Sequence, residues 1–170
     1  MSRRPEDDTW ARPEAGWISL DLPQWLGRSQ QYISGDADPD RVTLRHYQRP
    51  GDRALMTRVW VGPRTEGPPL HVHGGCQAAL LDECMGISAW STERPALAGT
   101  IQVEFRAPVP YGHAYTVEAF VEREDETKLF TRASLMDASG KVLTVATGTF
   151  VRRPLSFFAK MADMALETSE

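Results

Sequence analysis

Cysteine is scarce in this chain, with only two among 170 residues. Cys76 and Cys84 fall on one expected helix, roughly 12 Å apart along its axis. A disulfide needs Cα atoms within about 7 Å, so this pair is excluded. Two free thiols fit a reducing compartment. Long apolar runs are missing too: no uninterrupted stretch of about 18 apolar residues occurs. The opening Met1-Ser2-Arg3-Arg4-Pro5-Glu6-Asp7-Asp8 lacks the apolar core of a signal peptide. A soluble, cytoplasmic protein without membrane insertion is therefore expected. Basic charge is not in excess either, because 19 Lys and Arg stand against 23 Asp and Glu, a formal −4. With no basic stripe, a nucleic-acid partner is not expected. Internal repeats and low-complexity segments are absent.

What is present reads as one domain with modest extensions, long enough to bury a core without staples. Residues 1–40, rich in Pro, Asp, Arg and Trp, form an N-terminal extension in which only a short helix around Leu22 to Tyr32 is expected. The core spans residues 41–153. It begins with two strand-like runs, Arg41 to Tyr47 and Ala54 to Val61, separated by the turn signal Pro50-Gly51-Asp52. A helix of about 73 to 91 follows, then four strands. Ile101, Val103, Phe105 and Ala107 alternate with polar residues, as do Tyr115, Val117, Ala119 and Val121. Two further runs, about Lys128 to Met136 and Lys141 to Val151, are joined by the turn Asp137-Ala138-Ser139-Gly140. Residues 154–170 read as a C-terminal helical tail. The class is α+β: a curved antiparallel sheet of about six strands around one long buried helix. A helix this apolar cannot be covered by one flat sheet face, so a partner subunit is expected to cover the remainder.

The stretch from Gly67 to Glu83 joins a glycine-rich loop to that helix. From Gly74 to Trp90 the only strongly polar positions are Gln77, Asp82, Glu83 and Ser88. Carboxylates in an apolar helix are costly unless paired, hydrogen-bonded or kept for chemistry. Asp82 has Gly75, Ala78, Ala79, Met85, Gly86 and Ala89 at helical spacing, a stripe of mostly small residues that leaves space for a ligand. Glu83 has an equally apolar neighbourhood, so periodicity alone does not choose between the two acids.

The combination of a strand, His73-Gly74-Gly75, a buried helix with Leu81-Asp82-Glu83, Phe105-Arg106-Ala107-Pro108-Val109 and Gly148-Thr149-Phe150 resembles the hotdog-fold acyl-CoA thioesterases. The similarity is to the branch of the phenylacetate-pathway enzymes and the mammalian thioesterase superfamily members, and it covers roughly residues 41 to 152. It implies hydrolysis of an acyl-CoA or related acyl thioester, with coenzyme A as part of the substrate and no separate cofactor. It also implies that the Gly74 N–H holds the thioester carbonyl and that Asp82 acts as nucleophile or general base. A helix N-terminus suits a developing oxyanion. Asp82, however, lies about 12 Å further along the same helix. Two subunits are then required for each site, which predicts a homodimer or dimer of dimers.

This chain has Gly67 where some relatives carry an Asn that helps hold the carbonyl, leaving either His71 or His73 as its replacement or the contact missing. Relatives also place a water-orienting hydroxyl seven residues before the strand aromatic, which here is Ala98. Thr100, taken as facing the same side of its strand, is the nearest hydroxyl. His73 is read either as a general base or as a residue that shapes the loop. The expected substrate contacts are Gly75, Glu83, Gly67, His71 and Arg106, with Glu83 otherwise pairing with an Arg or Lys. His71-Val72-His73 has the spacing of a metal pair but lacks the further ligands, so no metal is expected. Cys76 lies in the first helical turn, where a thiol pKa can be lowered, though it has no evident base partner. Two other readings remain: a non-catalytic acyl-thioester-binding protein, and a hotdog hydratase or dehydratase.

Overall fold

The computed structural model describes residues 8–21, 32–34, 38–91 and 95–167, and the side chains of the last helix as far as Met161. Its strands are β1 (Ile18–Ser19), β2 (Val42–Gln48), β3 (Leu55–Val61), β4 (Ala96–Phe105), β5 (His113–Glu124), β6 (Lys128–Met136) and β7 (Val142–Arg152). Its α-helices are α1 (Gly74–Trp90) and α2 (Leu155–Glu167). The strands form one antiparallel sheet in the order β1-β2-β3-β5-β6-β7-β4. Seven strands stand where about six were expected. The extra one is the two-residue β1, whose Ile18 and Ser19 pair with Gln48 and Tyr47. Two residues are too few to show an alternation, so no local pattern marks it. The helix expected around Leu22 to Tyr32 lies almost wholly outside the described residues.

The turns form where the chemistry calls for them. Gly51 and Gly140 take φ of +95° and +82°, values that glycine adopts without steric cost. The Asp137 carboxylate accepts from the amides of Ser139 and Lys141 and closes the β6–β7 turn. Strand register then assigns faces, because directly paired residues share a side. Leu55, Val59 and Val61 of β3, Val117 and Ala119 of β5, Leu129, Ala133 and Leu135 of β6, and Ala146 and Phe150 of β7 point to one face, and all are buried.

Helix α1 lies across that face. Leu80, Leu81, Cys84, Met85 and Ala89 are at most 1% exposed. Each of the large ones contributes about 1.5–3 kcal/mol by burial. Gly148 sets the approach of helix to sheet, since a Cβ there would stand 3.2 Å from Met85 Sδ and 2.9 Å from Thr131 Oγ1. Gln77 is anchored on both sides, its Nε2 donating to Val72 O at 3.1 Å and its Oε1 accepting from Thr144 Oγ1 at 2.6 Å. The chain crosses from β3 through α1 to β4 at the far edge, which brings the C-terminal end of β4 beside the start of α1. The N-terminal extension wraps the opposite edge. Trp10 and Ala11 pack on Trp60, while Ile33 joins the core cluster that includes α1. At the other terminus Phe158 of α2 meets Trp90 edge-to-face, ring centroids 4.7 Å apart.

Candidate active site

The loop before α1 is tightly folded. Gly67 N–H donates to His71 O, His71 N–H to Pro68 O and Leu70 N–H to Glu66 Oε1. Leu70 takes φ +65°, a strained value for a branched side chain. His73 N–H donates to Thr65 O at 2.7 Å, which aims the chain into the helix.

His73 is the N-cap of α1, and its Nδ1 accepts from Gly75 N–H at 2.9 Å. That bond places the ring proton on Nε2. Gly67 is fitted to the same histidine, because a Cβ there would come within 2.7 Å of His73 Cα and 2.9 Å of its Cβ and Cδ2. The expected exchange of a carbonyl-holding Asn for Gly67 thus has a steric reason: His73 occupies the space a side chain would need. His71 turns its Nδ1 to Pro69 O, 2.8 Å away.

With the Gly75 amide taken by the cap and the Gln77 amide bonded to His73 O, the Gly74 N–H is left at the helix start without an acceptor among the described residues. It opens on a hollow of about 450 Å³ that also exposes His71, Phe105 and Arg106. The Phe105 ring lies 3.3 Å from where a Gly74 Cβ would be, so glycine is needed for this approach. Arg106 is held by Glu104 through two bonds of 3.1 Å. Gly75 and His73 line a second hollow of about 430 Å³ on the other flank of the helix, against Ile33, Val42, Cys76 and Ala79.

Asp82 is half-buried, and its Oδ1 is shut away from solvent with no hydrogen-bond partner among the described residues. Burial raises its pKa above the ordinary carboxylate value. Glu83 accepts a hydrogen bond from Ser34 of the extension, and among the described residues no Arg or Lys is paired with it. Ser34 is 49 residues away in sequence and belongs to no motif, so only the fold reveals it. Cys76 has its pKa raised by burial, against the lowering a helix N-terminus suggests, and Cys84, deep in the core, is pushed up to about 12.

Thr100 is the clearest correction. The register shifts between Ala98 and Thr100, with Ala98 opposite Phe150 and Thr100 opposite Thr149. Thr149 in turn pairs with Phe130, on the outer face of the sheet, where Phe130 and Arg123 also line a shallow hollow with Thr100. Ala98 and Thr100 therefore face opposite sides, because the extra residue Gly99 breaks the period-two count. The fold thus gathers Gly74, His71 and Arg106 on one flank of the helix start and His73 and Gly75 on the other. Asp82 stays more than two turns away, Glu83 faces the extension, and Thr100 lies across the sheet. Among the described residues no group of three His, Cys, Asp or Glu side chains is placed to hold a metal, and no helix is long and apolar enough to cross a membrane.

Residues 71–144 match the family model of the thioesterase superfamily. The chain is 25% identical over 134 residues to acyl-coenzyme A thioesterase THEM4 of Xenopus laevis, covering 77% of this chain and 60% of that one. It spans little more than half the length of the curated relatives it matches. A crystal structure of a thioesterase superfamily protein superposes with a TM-score of 0.61 at 25% identity, covering 64% of this chain and 53% of the other. A Bacillus halodurans protein crystallised with CoA superposes with a TM-score of 0.53 at 22% identity, covering 58% and 66%. The match over residues 71–144, which hold the buried helix and strands β4 to β6, is to the thioesterase superfamily, and the fold is the hotdog fold.

Proposed function

We propose that this chain hydrolyses acyl-CoA thioesters to the free acid and coenzyme A, at sites assembled from two copies of the chain. The observation that carries the reading is the pairing of a Gly74 amide at a helix start with a half-buried Asp82 oxygen on the same helix, neither with a hydrogen-bond partner among the described residues. Eight residues of helix hold them about 12 Å apart, so one protomer cannot bring both to a single carbonyl. Two copies related by a twofold axis can. Strand β4 supports such a contact: it pairs only with β7 among the described strands, and along it Leu97, Ile101 and Phe105 are 38%, 41% and 54% exposed. A second β4 would satisfy that edge and cover those side chains.

In this reading the Gly74 N–H of one protomer takes the thioester oxygen. Asp82 of the other removes a proton from water as its oxygen attacks the carbonyl carbon. The electron pair moves onto the oxygen, where the amide and the helix dipole stabilise it. It then returns as the C–S bond breaks, and the thiolate leaves with a proton. The raised pKa of Asp82 makes it a stronger base than an ordinary carboxylate. His73 acts through the loop, since its Nδ1 is committed to the Gly75 amide. No cofactor beyond the substrate's own coenzyme A is required, and two free thiols fit a cytoplasmic role in lipid metabolism.

The test is thiol release from a panel of acyl-CoAs by the wild-type chain and by Asp82→Asn. The variant is expected to lose about 10²–10⁴-fold in turnover. The wild-type rate is expected to fall on acidification through a pKa above the usual carboxylate range, because only the ionised acid accepts a proton. Equal release by both proteins removes Asp82 from the mechanism. Binding of acyl-CoA without release by either would instead make the chain a carrier.

A further inference from the structure

We infer that the hollow between α1 and the N-terminal extension is the acyl compartment, and that it selects medium-chain aliphatic acyl groups. This rests on the thioester reading above and adds to it the flank of α1 on which the acyl chain lies and the residues that set its length.

The hollow holds about 430 Å³. Its apolar wall is made by Ile33, Val42, Cys76 and Ala79, and its polar rim is already engaged. Arg64 is paired with Asp38 at 2.6 Å, and the Thr65 hydroxyl donates to Gly62 O at 2.7 Å. Glu66 accepts from Leu70 N–H at 2.8 Å, His73 accepts from Gly75 N–H at 2.9 Å, and the Arg41 guanidinium sits 5.6 Å from the centre of the Tyr32 ring. An ionic ligand would need the remaining N–H donors of Arg41 and Arg64. An alkyl chain asks for none of them and displaces only water.

Position argues the same way. Gly75 and His73 border this hollow while their neighbour Gly74 borders the other, so the first turn of α1 separates the two. A thioester carbonyl held at Gly74 sends one substituent to each flank. Gly75 carries no side chain to block the way to the apolar one. At about 30 Å³ per water-sized group, and with the mouth open to solvent, the compartment takes roughly eight to twelve carbons.

Its outer wall is this chain's own. Ile33 is 7% exposed, and the neighbouring Ser34 hydroxyl is bonded to Glu83 of α1, which fastens the extension over the hollow. Ile33 and Val42 both lie outside residues 71–144, the segment that matches the superfamily model. Chain-length preference is therefore set by the extension meeting the helix, with Ala79 the position on α1 where added volume enters the compartment.

Two measurements decide it. The first compares kcat/KM along a saturated acyl-CoA series for wild type, Ala79→Leu and Ile33→Ala. The dodecanoyl-to-butyryl ratio is expected to drop about tenfold in Ala79→Leu and to shift toward longer chains in Ile33→Ala. Unchanged ratios overturn the assignment while leaving thioester hydrolysis intact. The second uses wild-type protein and no turnover: alkylation of Cys76 by iodoacetamide at alkaline pH, followed by peptide mass spectrometry, with and without decanoate or coenzyme A. Decanoate is expected to slow Cys76 modification several-fold and coenzyme A alone to leave it unchanged, with the fully buried Cys84 as internal reference. Equal rates in all three samples overturn the compartment, whether or not the chain releases thiol from any acyl-CoA.

Discussion

His73 shows how one side chain organises the helix start. Its Nδ1 satisfies the Gly75 amide, its carbonyl takes the Gln77 amide, and its bulk fills the space that Gly67 leaves. The Gly74 amide is left without an acceptor among the described residues because the neighbouring donors are already used, which is what the proposed site requires. A capping role and a proton-transfer role predict different outcomes. Asn also caps helices well through its side-chain oxygen, whereas Ala does not, at a cost of about 1 kcal/mol. In the thiol-release assay His73→Asn is expected to keep activity within about threefold of wild type, and His73→Ala to lose more activity together with thermal stability. Equal and severe loss in both variants would make His73 a proton carrier. The residues themselves were legible in the sequence as candidates; their bonds were not, because a histidine that caps a helix and one that moves protons are spelled identically.

Among the elements, β4 stands apart as a long, apolar strand with one side free. Ile101 and Phe105 share the face of Gly148 and Thr144, the side that meets α1, and both are exposed. Such an edge invites pairing with another strand. Replacing Ile101 with Glu places a charge in that contact, and sedimentation is expected to show a shift from dimer to monomer together with loss of thiol release. A fully active monomer would refute the shared site. Period two identified β4 to β7 and the single apolar helix without help from homologues. It failed at Gly99, since one inserted residue reverses every later side chain and a lone glycine is the only local sign of the bulge.

At the scale of the whole molecule, the proposed site makes oligomerisation part of the chemistry, because Gly74 and Asp82 are held apart on one helix. Gly74→Pro removes the amide donor while fitting the first helical position, where proline is well tolerated. Asp82→Asn removes the base. Each variant alone is expected to be inactive. Mixed in equal amounts after dissociation, they form hybrids that carry one intact site, and activity is expected to return to about a quarter of the wild-type value. No recovery would mean that both groups serve one protomer. The sequence by itself determined the α+β class, the buried helix, the strand periodicities and the motif that carries Gly74 and Asp82, because each is written in local spacing and composition. Only the tertiary structure decided which helix amide stays free, that Ser34 ties the extension to Glu83, that Thr100 turns away from α1, and that a hollow opens beside Cys76 and Ala79. Each of these depends on chain segments far apart in sequence that meet only when the sheet closes around the helix, and local periodicity carries no record of such meetings.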